Sequence, residues 1–442
     1  MFYIFIAVSL LVPSVSYALS LTSSTKEFTL KNGLKVIVVE DHKAPLATFQ
    51  IWYRVGSMNE SSGSTGMSHL LEHMMFKGTP KYGSKQFSNI IQRNGGTDNA
   101  FTTKDYTTYF QSLASDRIGL SIELEADRMN NLLLAPKEFE SEKKVVREER
   151  RMRYEDDPQS ALYEDVVSTA FKAHSYHWPV IGWMSDIAAI GRDDLRKYYR
   201  EHYSPDNAYI VIAGDVNPGA VLEKVQKEFG AIAPVKRGKS TITAEPAQQG
   251  ERRIYLRKEA ELPYVLIAYH VPNFPHNDNF ALDVLSAILS DGRSSRLYKG
   301  LVYEKRLALN ASAEYNNLYK DPFLFTLGAT AAPGKNIETV EKALYDEVDR
   351  IKKDLPSERE VQKAKNQIEA SFIFAQDSNY SRALYTGMFE MMGGWRLMDT
   401  YLEGIRKVKP EDVQAAALKY LNDDNKTVGI LVPIKAGVKS GK

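Results

Sequence analysis

Two histidines four residues apart share a pentapeptide with a glutamate: His69-Leu70-Leu71-Glu72-His73. On a helix, residues four apart lie one above the other on the same face, so both imidazoles can reach one metal ion. Glu72 stands beside them, where a carboxylate can take a proton from metal-bound water. Zinc lowers the pKa of such water to about 7, so a nearby base can generate hydroxide at neutral pH. The competing reading is a surface helix with two solvated histidines. Leu70, Leu71, Met74, Met75 and Phe76 argue against it, because they predict a largely buried helix. Buried histidines and a buried carboxylate need partners, and a metal supplies them.

The order H-x-x-E-H is the inverse of the commoner zinc motif H-E-x-x-H. A catalytic zinc site takes three protein ligands plus water, so a third ligand must come from another element. The stretch Pro136 to Tyr154 is the best source, with Glu138, Glu140, Glu142, Glu148 and Glu149 on one predicted helix. Glu142 and Glu149 are two turns apart on a shared face. Val145, Val146 and Met152 lie on or near that face, which predicts that it turns inward. Glu148 is rotated about 100° from Glu149 and is expected in solvent. The same solvated reading is taken for Lys143, Lys144, Arg147, Arg150 and Arg151.

Elements that could hold these groups follow from periodicity. Lys26 to Glu40 alternates around Asn32-Gly33, a hairpin signal. Leu46 to Val55 reads as a strand with Ala47, Phe49, Ile51 and Tyr53 on one side and Thr48, Gln50, Trp52 and Arg54 on the other. Gly66 to Phe76 is a helix stopped by Gly78 and Pro80. Thr108 to Leu113 is a strand, and Ile118 to Leu134 and Pro136 to Tyr154 are long helices. Around 235–252 the composition shifts to Gly, Pro, Ser, Thr and Gln without apolar period, as in a linker. The second half then replays the first. Tyr264 to Tyr269 is a strand and Asp278 to Ser290 a helix. Glu411 to Ile430 can be laid on Asp193 to Ile212 without a gap, each copy running from a helix through an Asn (Asn207, Asn425) into a strand. The expected class is α+β: two homologous domains, 26–234 and 253–436, each a mixed or antiparallel sheet with helices packed on one face.

Composition excludes several function classes. Lys plus Arg is 57 and Asp plus Glu 56, a net charge of +1, which is not the basic footprint of a nucleic-acid binder. With no cysteine in 442 residues, disulfides, thiol catalysis and Cys-ligated metal are ruled out. The apolar run Phe2 to Val15 followed by Ser16-Tyr17-Ala18 predicts a signal peptide over 1–18, although no Lys or Arg precedes the run; an uncleaved anchor is the alternative. Secretion without cysteine fits a bacterial periplasm. No other stretch is apolar enough to span a bilayer. No phosphate-cradling glycine loop is evident, and His174 and His177 are read as structural or surface groups.

His69 to Thr79 resembles the zinc helix of the pitrilysin/insulinase family, in its bacterial processing-peptidase-like branch. Gly95-Gly96-Thr97-Asp98-Asn99-Ala100-Phe101-Thr102 resembles that family's edge strand beside the zinc, Val145 to Met152 its third-ligand helix, and Asp291 to Tyr298 the matching region of its second domain. The resemblance spans nearly the whole chain after the signal. It implies one Zn²⁺ per chain on His69, His73 and Glu149, with Glu72 as general base and Glu142 as a carboxylate orienting His73. It also implies that Asn99 and Ala100 bind the substrate backbone by strand addition, and that two homologous domains close like a clam around an unfolded peptide.

One departure stands out. Active single-chain relatives carry an Arg and a Tyr, seven apart, after the Ser-Ser-Arg-Leu segment; here Val302 and Leu309 occupy those positions. Losing an oxyanion donor typically lowers turnover by about 10²–10³. The expectation is therefore a heterodimer, in which a homologous zinc-less partner subunit supplies the missing pair; a single-chain enzyme with a rewired oxyanion site is the alternative. The competing class is a non-catalytic scaffold, disfavoured because all four zinc-site residues are intact.

Overall fold

The structure is a computed structural model that describes residues 21–238 and 242–435. The expected signal peptide (1–18), the linker positions 239–241 and residue 436 lie outside the described residues. Among the described residues, the first sheet contains β1 (Thr25–Thr29), β2 (Lys35–Glu40), β3 (Leu46–Tyr53), β4 (Thr97–Thr102), β5 (Thr107–Ala114) and β6 (Ala208–Gly214), in the order β1-β2-β6-β3-β5-β4. The second contains β7 (Arg252–Glu259), β8 (Tyr264–Val271), β9 (Ala308–Tyr315), β10 (Phe323–Ala331) and β11 (Lys426–Ile434), in the order β7-β11-β8-β10-β9. Strand β7 starts at Arg252, one residue inside the expected linker. In both sheets a parallel pair (β2 with β6, β7 with β11) adjoins an antiparallel run, so the sheets are mixed and, apart from β1, share one topology.

Local sequence explains the hairpin and the repeat. Gly33, at φ +89°, takes the left-handed conformation that lets β1 turn into β2, and Thr25 to Thr29 then pair with Val39 to Lys35. The matched segments coincide: the helix Arg192–His202 and β6 in the first half correspond to the helix Pro410–Tyr420 and β11 in the second. The two asparagines repeat one device. Asn207 Nδ2 donates to the His202 carbonyl and Asn425 Nδ2 to the Tyr420 carbonyl, each at 2.9 Å, satisfying a carbonyl at the end of the helix.

Each sheet carries its own domain's helices on one face. Ala47, Phe49, Ile51 and Tyr53 of β3 pack there with Leu70, Leu71, Met74 and Val146. The opposite faces are also covered, and the cover is exchanged. The helix Asn379–Met391 from the second half lies across the first sheet, where Ala383 and Met391 join Trp52, Tyr209 and Val211 in one core. Tyr209 Oη donates to the Gly387 carbonyl at 2.8 Å, and a Cβ on Gly387 would meet the Trp52 ring at 2.2 Å. Reciprocally, the helix Pro158–Ala170 from the first half lies across the second sheet, with Leu162 and Val166 against Leu266, Ala268 and Leu431. A Cβ on Gly429 would meet Val166 at 2.3 Å. The architecture is α+β, two homologous domains in a clam-like arrangement. Among the described residues no helix is long and apolar enough to cross a membrane.

Candidate metal centre

The helix Met67–Met74 begins at Gly66, whose φ of +91° suits glycine; a Cβ there would also come within 2.5 Å of the Ile181 carbonyl. Glu60 caps this helix: Oε2 accepts from the Gly66 amide at 2.6 Å and Oε1 from the Ser68 amide at 2.7 Å. Burial raises the Glu60 pKa to about 8, against the pull of these two amides. Leu70, Leu71 and Met74 bury their side chains in the first core, which fixes the rotation of the helix and presents His69, Glu72 and His73 on its other side.

The two imidazole rings lie 4.8 Å apart, and both Nε2 atoms face Glu149 Oε2, at 3.8 Å for His69 and 3.3 Å for His73. One donor atom from each of His69, His73 and Glu149 lies within 4.8 Å of the others. Ligand atoms about 2.0–2.1 Å from a tetrahedral zinc stand roughly 3.3 Å from one another, so small side-chain adjustments bring this triad to zinc geometry. A secondary set holds the ligands. His73 Nδ1 pairs with Glu142 Oε2 at 3.2 Å, and Lys77 Nζ pairs with Glu142 Oε1 at 2.6 Å. Arg153 pairs with Glu149 Oε1 at 3.1 Å. The Nδ1 of His69 is buried with no hydrogen-bond partner among the described residues.

Electrostatics also suit a cation. Burial lowers the His73 pKa, but hydrogen bonds to Glu142 and Glu149 and the charge of Glu72 outweigh it and lift the value to about 9. Burial and the neighbouring His73 push His69 down to about 4. The bond to His73 depresses Glu149. A carboxylate-rich pocket that draws a proton onto one imidazole also favours a divalent ion shared among the same atoms. Donor set, spacing and charge therefore fit zinc.

Glu72 lies beside the triad. Thr102 Oγ1, at the end of β4, donates to Glu72 Oε2 at 2.5 Å. Burial raises the Glu72 pKa, with the Thr102 bond opposing it, and a base tuned upward works closer to neutral pH. Among the described residues, strand β4 has β5 on one side and a free edge on the other. Asn99 and Ala100 sit on it, and the Ala100 amide donates to its neighbour's Asn99 Oδ1 at 2.9 Å.

Comparison with known proteins follows the same pattern. The family model described as Insulinase (Peptidase family M16) matches residues 35–182, and that described as Peptidase M16 inactive domain matches 189–368. The zinc protease PqqE of Helicobacter pylori is 34% identical over 94% of this chain and 95% of its own. The chain belongs to the insulinase family, peptidase family M16. A crystal structure of a protease from Helicobacter pylori superposes with a TM-score of 0.88 at 33% identity, covering 92% of this chain and 99% of that one. The periplasmic protease PqqL from Escherichia coli shares the fold at 16% identity and a TM-score of 0.78, covering 93% of this chain but 48% of PqqL.

His69, Glu72, His73, Glu142 and Glu149 are thus brought into one cluster, with Asn99 and Ala100 on the adjoining edge. Two expectations about the helix Pro136–Arg150 need correction. Val146 is buried, but Val145 and Met152 are exposed, at 45% and 63%. The inward line runs through Glu142, Val146 and Glu149–Arg150, and Met152 lies in one wide turn, Arg151–Glu155, that follows the regular helix Pro136–Arg150. Arg150 is buried instead of solvated, because Glu164 on the next helix accepts both of its terminal nitrogens at 2.8 and 2.9 Å. Sequence reasoning also missed Thr102, Lys77 and Arg153. The last two are four residues beyond His73 and Glu149, a spacing that could have flagged them. Thr102 is reached only through the tertiary fold. His174 is a buried structural group, paired with Asp321 at 3.2 Å. Val302 is half-buried, and Leu309 is 54% exposed on β9.

Proposed function

We propose that this chain is a zinc-dependent endopeptidase that hydrolyses unfolded peptides. We also propose that it is the zinc-bearing subunit of a heterodimer with a homologous, zinc-less partner. The observation that carries this reading is the convergence of His69, His73, Glu149 and Glu72 beside the free edge of β4. His69, His73 and Glu149 would hold one Zn²⁺, and Glu142, paired with Nδ1 of His73, would keep that ring oriented for it. When bound, zinc supplies Lewis acidity and lowers the pKa of water to about 7. Glu72 Oε2 takes the proton from the attacking water and later delivers it to the leaving amine. Thr102 holds that carboxylate in place. The peptide adds as a strand along β4; its carbonyl displaces Asn99 Oδ1 from the Ala100 amide, and strand pairing favours extended, unfolded substrates.

The partner is inferred from Val302 and Leu309, which leave this chain without the Arg and Tyr expected there. PqqL, a chain about twice as long, carries the fold in 48% of its length. The N-terminal apolar run and the periplasmic description of PqqL support export to the periplasm. The proposed division is 26–234, a linker at 235–252 and 253–436; the presence of two sheets supports two units, although β1 begins at Thr25 and β7 at Arg252. The scaffold alternative draws on the inactive-domain model at 189–368, but all four zinc-site residues lie in the other match, at 35–182.

The test is hydrolysis of an unfolded peptide by the purified chain, alone and mixed with a zinc-less homologue. Activity confined to the mixture and abolished by Glu72→Gln supports both parts. Full activity of the chain alone discards the partner. Absence of Glu72-dependent hydrolysis under either condition discards the peptidase. Glu72→Gln is expected to lower kcat/KM by about 10²–10⁴ with zinc content unchanged, measured by elemental analysis.

A further inference from the structure

The third candidate ligand sits at the weakest place on its helix. Glu149 is the last residue but one of the regular helix Pro136–Arg150, and the chain then widens into the turn Arg151–Glu155. A last turn frays unless something outside the helix holds it. The ion pair of Arg153 with Glu149 Oε1 adds little, because the Arg153 side chain is 70% exposed. Arg150 is the stronger hold. It is buried, and its two terminal nitrogens donate to the two carboxylate oxygens of Glu164 at 2.8 and 2.9 Å. The ring centres of Trp183 and Tyr154 lie 5.4 and 5.6 Å from the guanidinium carbon. A forked pair of this kind fixes angle as well as distance. Its partner is firmly seated: Glu164 lies on the helix Pro158–Ala170, whose Leu162 and Val166 pack on the second sheet. Successive side chains on a helix diverge by about 100°, so Arg150 acts on Glu149 through the backbone they share.

We infer that Arg150 and Glu164 are positioning residues for Glu149 and set how tightly the centre holds zinc. The inference rests on the reading that His69, His73 and Glu149 are the zinc ligands. Glu149 Oε2 has to stand between the two Nε2 atoms, which are 3.8 and 3.3 Å away. With the fork in place the carboxylate waits there. Without it the last turn swings, and the metal has to order the ligand as it binds, at a cost in affinity.

The experiment is zinc titration of the full-length chain against a competing chelator, with melting of the zinc-free proteins followed by circular dichroism. Arg150→Lys keeps the charge but cannot span both oxygens, and Glu164→Gln keeps the shape without the charge. Each is expected to weaken zinc binding about tenfold, and the double variant no more than the worse single, because both break one clamp. Arg151→Lys is the control: its pair with Glu148 is exposed, at 45% and 62%, and zinc affinity should stay within about twofold. Zinc affinity unchanged in both singles, losses that add in the double variant, or an equal loss in Arg151→Lys overturns the inference. If Glu164→Gln loses its cooperative transition, Arg150→Lys against Arg151→Lys decides alone. Glu149→Gln separates the two readings. Zinc binding lost with Glu149→Gln but kept in Arg150→Lys and Glu164→Gln leaves the metal centre standing and removes the clamp. Zinc binding indifferent to Glu149→Gln removes both.

Discussion

The carboxylates around His73 divide the work by position. Glu149 and Glu142 approach opposite nitrogens of the ring, and only Glu149 is shared with His69. Replacing Glu142 by Gln leaves an oxygen for His73 Nδ1–H but removes the charge that makes the ring a better donor and weakens the hold of Lys77. The expected result is a 10–100-fold loss of zinc affinity, read by chelator competition, with the fold retained. A second carboxyl gives a pH signature unconnected with the metal. Asp283 accepts from Asn317 Nδ2 at 2.5 Å and Tyr401 Oη at 2.9 Å. Burial raises its pKa from an ordinary 3.8 to about 7, against these two bonds. Its folded pKa is the higher one, so its stabilising contribution is complete below 3.8 and is lost as pH rises through about 7. Asp283→Asn keeps an acceptor for both donors without the charge. The melting temperature of the unaltered chain should therefore fall relative to the variant between pH 5 and 8; parallel curves would contradict the assignment.

Elements decide what reaches the site. Because the Ala100 amide is bonded to the Asn99 side chain at the free edge of β4, a proline at 100 should spare the pairing with β5. It would deny the added peptide a donor. Ala100→Pro is expected to lower kcat/KM at least about tenfold with a small change in melting temperature. At this scale the sequence was largely legible. The Asn32-Gly33 hairpin, the alternation of β3 and the helix with His69 and His73 follow from local periodicity and turn chemistry. The repeat was legible because each copy runs a helix through an Asn into a strand. What escaped depends on partners distant in the chain. Arg150 looks like any cation in a charged run until Glu164 folds against it, and nothing local marks the wide turn that carries Met152 into solvent. Trp52 and its neighbours on the second side of β3 gave no sign of being covered, because the covering helix lies more than 300 residues away in the chain.

Across the whole molecule, symmetry and function part company. Two sheets of similar topology are built from two similar halves, yet among the described residues the His69–His73–Glu149 cluster lies in the first. The second half's share of the site is support: Tyr319 lines a cavity together with Thr102, the residue that donates to Glu72, and the helix Asn379–Met391 backs the sheet that ends in β4. That exchange of helices also governs how the chain can be cut. A first fragment ending at 238 would lose the cover over Trp52, Tyr209 and Val211, and a second beginning at 242 would lose the cover over Leu266, Ala268 and Leu431. Each large side chain returned to water costs about 1.5–3 kcal/mol, so about five of them rival the 5–15 kcal/mol that stabilises a typical domain. Neither fragment should melt cooperatively by circular dichroism when expressed alone. Mixed, they should recover one transition and co-elute as a one-to-one complex, an obligate complementation in which each piece acts as the other's folding template.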